Sequence, residues 1–335
     1  MNDFTQLVDL AAERLGGRVI AANDEFFAPK ENLLKQAKPI FVEGKFTSRG
    51  HWMDGWETRR RRTPGCDWCI IRLGLPGILR GALVDTSFFT GNYPARFSLE
   101  GCKIGGAVPN KDEKKQLLAS TAKWTELLPE TALKGDSQNH IAIEHAGCFT
   151  HVRFKIYPDG GVARLRVYGQ IHRDWSKADR KALVDLAAME NGGRVIACND
   201  RHYGSPENLT APGRAADMGD GWETRRRREP GEDWAILALG GRGRIKRIEV
   251  DTAHFKGNYP DRCSIQAADV AGGTEESLVT QSMFWPVLLP EKKLEADKLH
   301  RFDKDIADLG HVSHVRFSIY PDGGVSRLRL WGELA

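Results

Sequence analysis

HVRFKIYPDGGVARLRVYG, residues 151–169, is the stretch on which the fold turns. In its first half Val152, Phe154 and Ile156 alternate with Arg153, Lys155 and Tyr157, the two-residue period of a strand with one buried face. PDGG supplies turn residues, and beyond it Ala163, Leu165 and Val167 alternate with Arg164, Arg166 and Tyr168. The pattern predicts two strands joined as a hairpin-like unit. The string returns as HVRFSIYPDGGVSRLRLWG at 314–332, with Val315, Phe317, Ile319, Leu328 and Leu330 on the predicted inner face.

Working outward, the rest of the chain is doubled as well. GGRVIAANDEFFAPKENL from Gly16 matches GGRVIACNDRHYGSPENL from Gly192, and DGWETRRRR at Asp54 recurs unchanged at Asp220. VDTSFFTGNYP from Val84 matches VDTAHFKGNYP from Val250, Trp124–Pro129 matches Trp285–Pro290, and VDLAA stands at both Val8 and Val184. The spacing between copies changes from block to block, which places insertions in loops. Two units of about 150 residues follow, each large enough for its own core: residues 1–169, a charged linker at 170–183, and residues 184–335. Further strand-like runs lie at Asp67–Leu73, Leu83–Asp85 and Phe97–Leu99, with Asp9–Leu15 and Asp112–Leu128 as helix candidates. Many short strands with Gly-rich turns predict an all-β chain of two tandem jelly-roll β-sandwiches.

Composition narrows the function. A net charge of +4 from 49 basic and 45 acidic side chains gives no single-sign field to attract nucleic acid. That balance points to a small-molecule or protein partner; the N-terminus lacks a signal-peptide pattern and no apolar run reaches the ~18 residues of a membrane span, so a cytoplasmic protein is expected. Of the six cysteines, Cys66, Cys69, Cys102, Cys148, Cys198 and Cys263, none faces another when the halves are aligned. That argues against a disulfide or zinc framework belonging to the fold, Cys66 and Cys69 included.

Candidate site residues come from the shared blocks. The arginines of DGWETRRRR either pair with carboxylates such as Asp85 or Glu57, or clamp a ligand carboxylate. On a continuous strand Trp56, Thr58, Arg60 and Arg62 would share one face and Glu57, Arg59 and Arg61 the other. Asn23-Asp24 and Asn199-Asp200 read as turn caps, and GNYP can present Asn92, Asn258, Tyr93 and Tyr259 for hydrogen bonding. His151 and His314 correspond. His254, by contrast, replaces Phe88, while His51, His140 and His145 occur only in the first half. No GxSxG, P-loop, GxGxxG or HExxH signature is present.

The doubled DGWETRRRR, with VIAANDEFFAPKENLL, VDTSFFTGNYP and HVRFKIYPDGGVARLRVYG, closely resembles the allantoicase family across residues 8–169 and 184–332. The resemblance implies two galactose-binding-like jelly rolls, hydrolysis of allantoate to ureidoglycolate and urea in purine degradation, and a homo-oligomer. Urea is a poor leaving group unless its nitrogen is protonated, so the chemistry calls for an acid, and for a base to guide water. The expected catalytic residues are Glu57, Glu223 and His254. Arg59, Arg225, Asn92, Asn258, Tyr259 and His314 are the expected substrate contacts. A divalent metal such as manganese is an alternative means of polarising the leaving group, with no ligand set assigned. A tandem glycan-binding module without activity, or a hydrolase of another ureide such as ureidoglycolate, are the competing readings.

Overall fold

The computed structural model describes residues 4–104, 112–176 and 178–335, and these divide into two compact units, Met1–His172 and Arg173–Ala335. In the first unit the principal strands are β1 (Arg18–Ala22), β2 (Asp67–Asp85), β3 (Arg96–Cys102), β4 (Thr125–Ala132), β5 (Gln138–Ala142), β6 (Cys148–Tyr157) and β7 (Arg164–Ile171). β2 organises them. Its first part pairs with β1 on one side and β6 on the other, and β6 continues to β3 and then β4. Its last part pairs with β5 and β7, and the short strand Val8–Asp9 closes the far side of β7. One 19-residue strand thus serves two sheets, and the runs at Asp67–Leu73 and Leu83–Asp85 are two ends of it.

The alternation in 151–167 is real. Val152, Phe154, Ile156, Leu165 and Val167 are fully buried, and on the other face Arg153 and Lys155 pair with Glu100. The hairpin, however, is not formed. β6 lies against the start of β2 and β7 against its end, so PDGG carries the chain from one sheet to the other. Turn chemistry fixes a local bend but not the partner of the strand that follows, and a packed core between two sheets decided that partner.

The second unit repeats the plan with β8 (Arg194–Cys198), β9 (Asp233–Asp251), β10 (Arg262–Ala268), β11 (Val287–Lys293), β12 (Leu299–Phe302), β13 (Val312–Tyr320) and β14 (Arg327–Leu334). β9 again has 19 residues and pairs with β8, β13, β12 and β14. Phe154 packs against Trp56 and Phe317 against Trp222, with ring centroids 6.1 and 6.2 Å apart. All-β tandem jelly rolls are therefore observed.

The helix expectations shrink. Glu13–Leu15 is a single 3₁₀ turn, and Asp112–Leu128 holds only the helix Glu113–Leu118 before the chain enters β4. Pairing of β4 along β3 overrides the helical propensity of that stretch. β7 runs through Ile171, into the segment read as a linker. Trp175 belongs to the second unit, donating through Nε1 to the Gly240 carbonyl at 2.7 Å. All six cysteines are free thiols. No helix among the described residues is long and apolar enough to cross a membrane.

Candidate functional site

The duplicated blocks meet at one rim of each sandwich. In the first unit Asn23 accepts from the Trp68 amide at 2.7 Å and donates to Asp67 at 2.9 Å, bracing the loop after β1. Asp24 accepts from the Phe26 and Arg59 amides and pairs with the Arg59 Nε at 2.6 Å, and its carbonyl takes the Trp56 Nε1 proton at 2.8 Å. Burial alone would raise the Asp24 carboxyl, but these N–H donors and the Arg59 guanidinium hold it below the usual carboxylate range.

The arginine run is not a strand. Only Trp56–Glu57 is extended into a ladder, and the chain then turns across the rim. Its partners are not Asp85 or Glu57. Arg59 pairs with Asp24, Arg61 with Asp67 at 2.7 Å, and the Arg61 amide donates to Asp159 of PDGG at 2.8 Å. Asp85 is occupied otherwise, accepting from the Ser87 amide at 2.9 Å to start the VDT turn. Beneath the run Arg164 and Asp54 form a buried pair at 2.6 Å.

This frame aims Glu57 at the GNYP loop. The Glu57 backbone pairs with Gly161 and bridges to Ala28, and its Oε1 accepts from Asn92 Nδ2 at 2.7 Å. The Asn92 carbonyl takes the Gly161 amide at 2.7 Å. Gly160, at φ 139°, lies so close to that loop that a Cβ would stand 2.7 Å from the Asn92 carbonyl oxygen; a side chain there would be both strained and obstructed. Burial raises the Glu57 carboxyl above the ordinary glutamate value, against the opposing pull of the Asn92 bond and of His51.

The second unit repeats this geometry. Asn258 donates to Glu223 Oε1, Gly324 donates to the Asn258 carbonyl at 2.8 Å, and Arg225 pairs with Asp200 at 3.0 Å. Tyr259 is half-buried there, its backbone packed against Gly323. His254 occupies a left-handed turn at φ 70°, as Phe88 does at φ 68°. Its Nε2 donates to the Ala215 carbonyl at 3.0 Å. His314 does not join this rim. It is the third residue of β13, six before Tyr320 and so ~20 Å along the strand from the PDGG end, where its Nδ1 meets Ser313 at 2.8 Å and burial lowers its pKa.

The largest difference in length between the units lies in one loop. Asn32 and Asp54 are 22 positions apart, whereas Asn208 and Asp220 are 12 apart. The extra residues in the first unit include the small ladder Phe46–Thr47 with Gly50–His51. The His51 ring stacks on Phe41 at 5.5 Å and meets Phe46 edge-on at 5.0 Å, and Phe41 stacks on Phe88 at 5.8 Å. Neither Phe41 nor the place of His51 beside Glu57 follows from the sequence pattern; the change in spacing between the copies was the available signal. No cluster of three His, Cys, Asp or Glu side chains suited to a metal ion occurs among the described residues.

The family model of the allantoicase repeat matches residues 8–172 and 184–335, both halves of the duplication. The chain belongs to the allantoicase repeat family. It is 56% identical over 99% of its length to a probable allantoicase of Burkholderia mallei, covering 96% of that protein, and 53% identical to one of Ralstonia nicotianae over 99% and 96%. The crystal structure of allantoicase from Saccharomyces cerevisiae superposes with a TM-score of 0.77 at 34% identity, covering 98% of this chain and 93% of that one. The rims described above are thus features of two allantoicase repeats that have kept the same frame and diverged most in one loop.

Proposed function

We propose that the chain hydrolyses allantoate to ureidoglycolate and urea, a step of purine degradation, at the rims that carry the carboxyl–amide pairs. The observation that carries this reading is the Glu57–Asn92 contact, a partly desolvated carboxyl held by an amide, whose hydrogen bond recurs between Glu223 and Asn258. Membership of the allantoicase repeat family supplies the substrate class.

The chemistry needs a bond from water oxygen to the substrate's central carbon, cleavage of that carbon's bond to one ureido nitrogen, and a proton on that nitrogen. A carboxylate with a raised pKa is a suitable base for the water, because it holds a proton more readily than an ordinary glutamate. The amides of Asn92 and Asn258, with Tyr259, read the ureido groups. Arg59 and Arg225, exposed beyond their pairs with Asp24 and Asp200, reach the substrate carboxylate. His254, with Nε2 committed to Ala215, has Nδ1 left for proton exchange.

Urea release from allantoate by the purified protein tests the reading, with the double variant Glu57→Gln/Glu223→Gln as control. We expect release by the wild type and a loss of at least about a hundredfold in the double variant. Absence of urea from the wild type, with and without added manganese, would overturn the reading, and a glycan-binding role would then be the alternative to assay. Action on a small substrate without nucleic acid, in the cytoplasm and as a homo-oligomer, belongs to the same proposal. Sedimentation at a mass no greater than the 37.4 kDa of one chain would remove the oligomer from it.

A further inference from the structure

The two rims share their frame, but only the first carries the longer loop that brings His51 and Phe41 to it. We propose that turnover belongs to the first unit, where His51 exchanges the proton with the Glu57 site and the ring of Phe41 receives a planar ureido group. This rests on the allantoate reading and narrows it to one site.

Three independent observations converge on it. The loop that is ten residues longer in the first unit is the loop that carries both His51 and Phe41. It is also built against the site: Phe41 stacks on His51 and on Phe88, Phe88 stands four residues before Asn92, and Asn92 holds Glu57. Gly50, beside His51, lies against the Phe27 ring, and the Phe27 amide donates to the Glu57 carbonyl at 3.2 Å, so the His51 strand sits over the Glu57 segment. Finally, the loop exposes aromatic surface that no core requires. Phe41, Phe46 and Phe88 are 47%, 69% and 39% exposed, a concentration of apolar surface that marks a place of contact. A ureido group is flat and carries its polar atoms at its edge, so it lies on a ring face while Asn92 takes its edge.

The second rim lacks that loop, and its exposed ring is Tyr203, which meets His202 edge-on at 4.5 Å. Its shorter loop brings Met218, whose sulfur contacts the Asn258 amide at 3.6 Å, and Ala215, whose carbonyl takes the His254 proton. His254 stands at the position of Phe88, so the unit exchanges a stacking ring for an imidazole already bonded to backbone.

In the first unit water gives one proton to Glu57 as its oxygen bonds to the central carbon. The imidazolium of His51 gives one to the departing ureido nitrogen as the carbon–nitrogen bond breaks. Transfer of the proton from Glu57 to His51 restores both groups, and the products are ureidoglycolate and urea.

Steady-state urea release by single variants is the test. Glu57→Gln is expected to lose at least about a hundredfold in kcat, and Glu223→Gln less than a tenth of that factor. His51→Ala is expected to lose about a hundredfold in kcat with little change in KM, and added imidazole to restore part of it. Phe41→Ala is expected to raise KM about tenfold. Equal losses at Glu57 and Glu223, wild-type kcat in His51→Ala, or a loss there that imidazole leaves untouched would each overturn the proposal. Unchanged thermal midpoints exclude a folding defect. A wild type that releases no urea would instead sink the functional reading itself.

Discussion

The two rims were built from the same blocks, and setting them side by side separates what holds a jelly roll together from what equips it for chemistry. Asp54 with Arg164 and Asp220 with Arg327, Asn92 with Glu57 and Asn258 with Glu223, and Gly160 and Gly323 against the GNYP loops recur pair by pair. These contacts are the frame common to both rims, and that frame includes the carboxyl–amide pairs. His51, Phe41 and Phe46 have no counterpart, and they lie on the loop whose length differs most. A duplicated protein can thus show which residues are free to specialise.

The largest test of that comparison is at the shared buried ion pair. Asp54 is 7% exposed and Asp220 27%, so the frame is the same but its solvation is not. Asp54→Ala leaves the Arg164 guanidinium buried without its carboxylate and should cost about 3–5 kcal/mol. Asp220→Ala should cost less, since water reaches the vacated place. Denaturant unfolding of the two variants reads the order directly, and a reversed order would show that the pairs are not equivalent.

Next comes a pH effect. Asp9 and Asp185 occupy matching places, each accepting two backbone amides, from Ala11 and Val167 and from Ala187 and Leu330. Burial raises both carboxyls, Asp9 to about 6 from 3.8. A carboxyl with a raised pKa binds its proton more tightly folded than unfolded. Its contribution to stability is full below about 3.8 and is lost as pH rises through about 6, amounting to ~3 kcal/mol for Asp9. Asp9→Asn should therefore flatten the decline in stability between pH 4 and 7, and Asp185→Asn should act in the same direction. An unaltered slope in Asp9→Asn would refute the assignment.

The smallest effect is expected at Arg59 and Arg225. Their side chains are 63% and 72% exposed, so alanine at either should move stability by no more than about 1 kcal/mol. If Arg59→Ala nevertheless raises KM for allantoate while Arg225→Ala does so less, the rims differ in function where they agree in geometry.

Much of the fold was legible because side chains in strands repeat every two residues. Val152, Phe154, Ile156, Leu165 and Val167 were placed inside by that period alone and are inside. What failed were statements about partners. PDGG looks like a hairpin turn, but strand pairing is settled by distant segments competing for β2. Asp24 became the partner of Arg59 for the same reason: the two are 35 residues apart and meet only once the loop after β1 folds over the rim. Glu57 and Asn92 were named separately from their blocks, and their contact was visible only in three dimensions. His51 was noticed as unmatched, yet its place beside Glu57 depends on a loop path that no periodicity encodes.

The long strand shared by both sheets carries a consequence for how such a chain can change. Removing or adding one residue within β2 would turn its following side chains to the opposite face, where the second sheet expects them least. Two layers would then lose their register from a single event. Length in these units can therefore vary only at the ends of the sandwich. Both copies keep a spine of 19 residues, while the rim gained a loop that left the spine undisturbed.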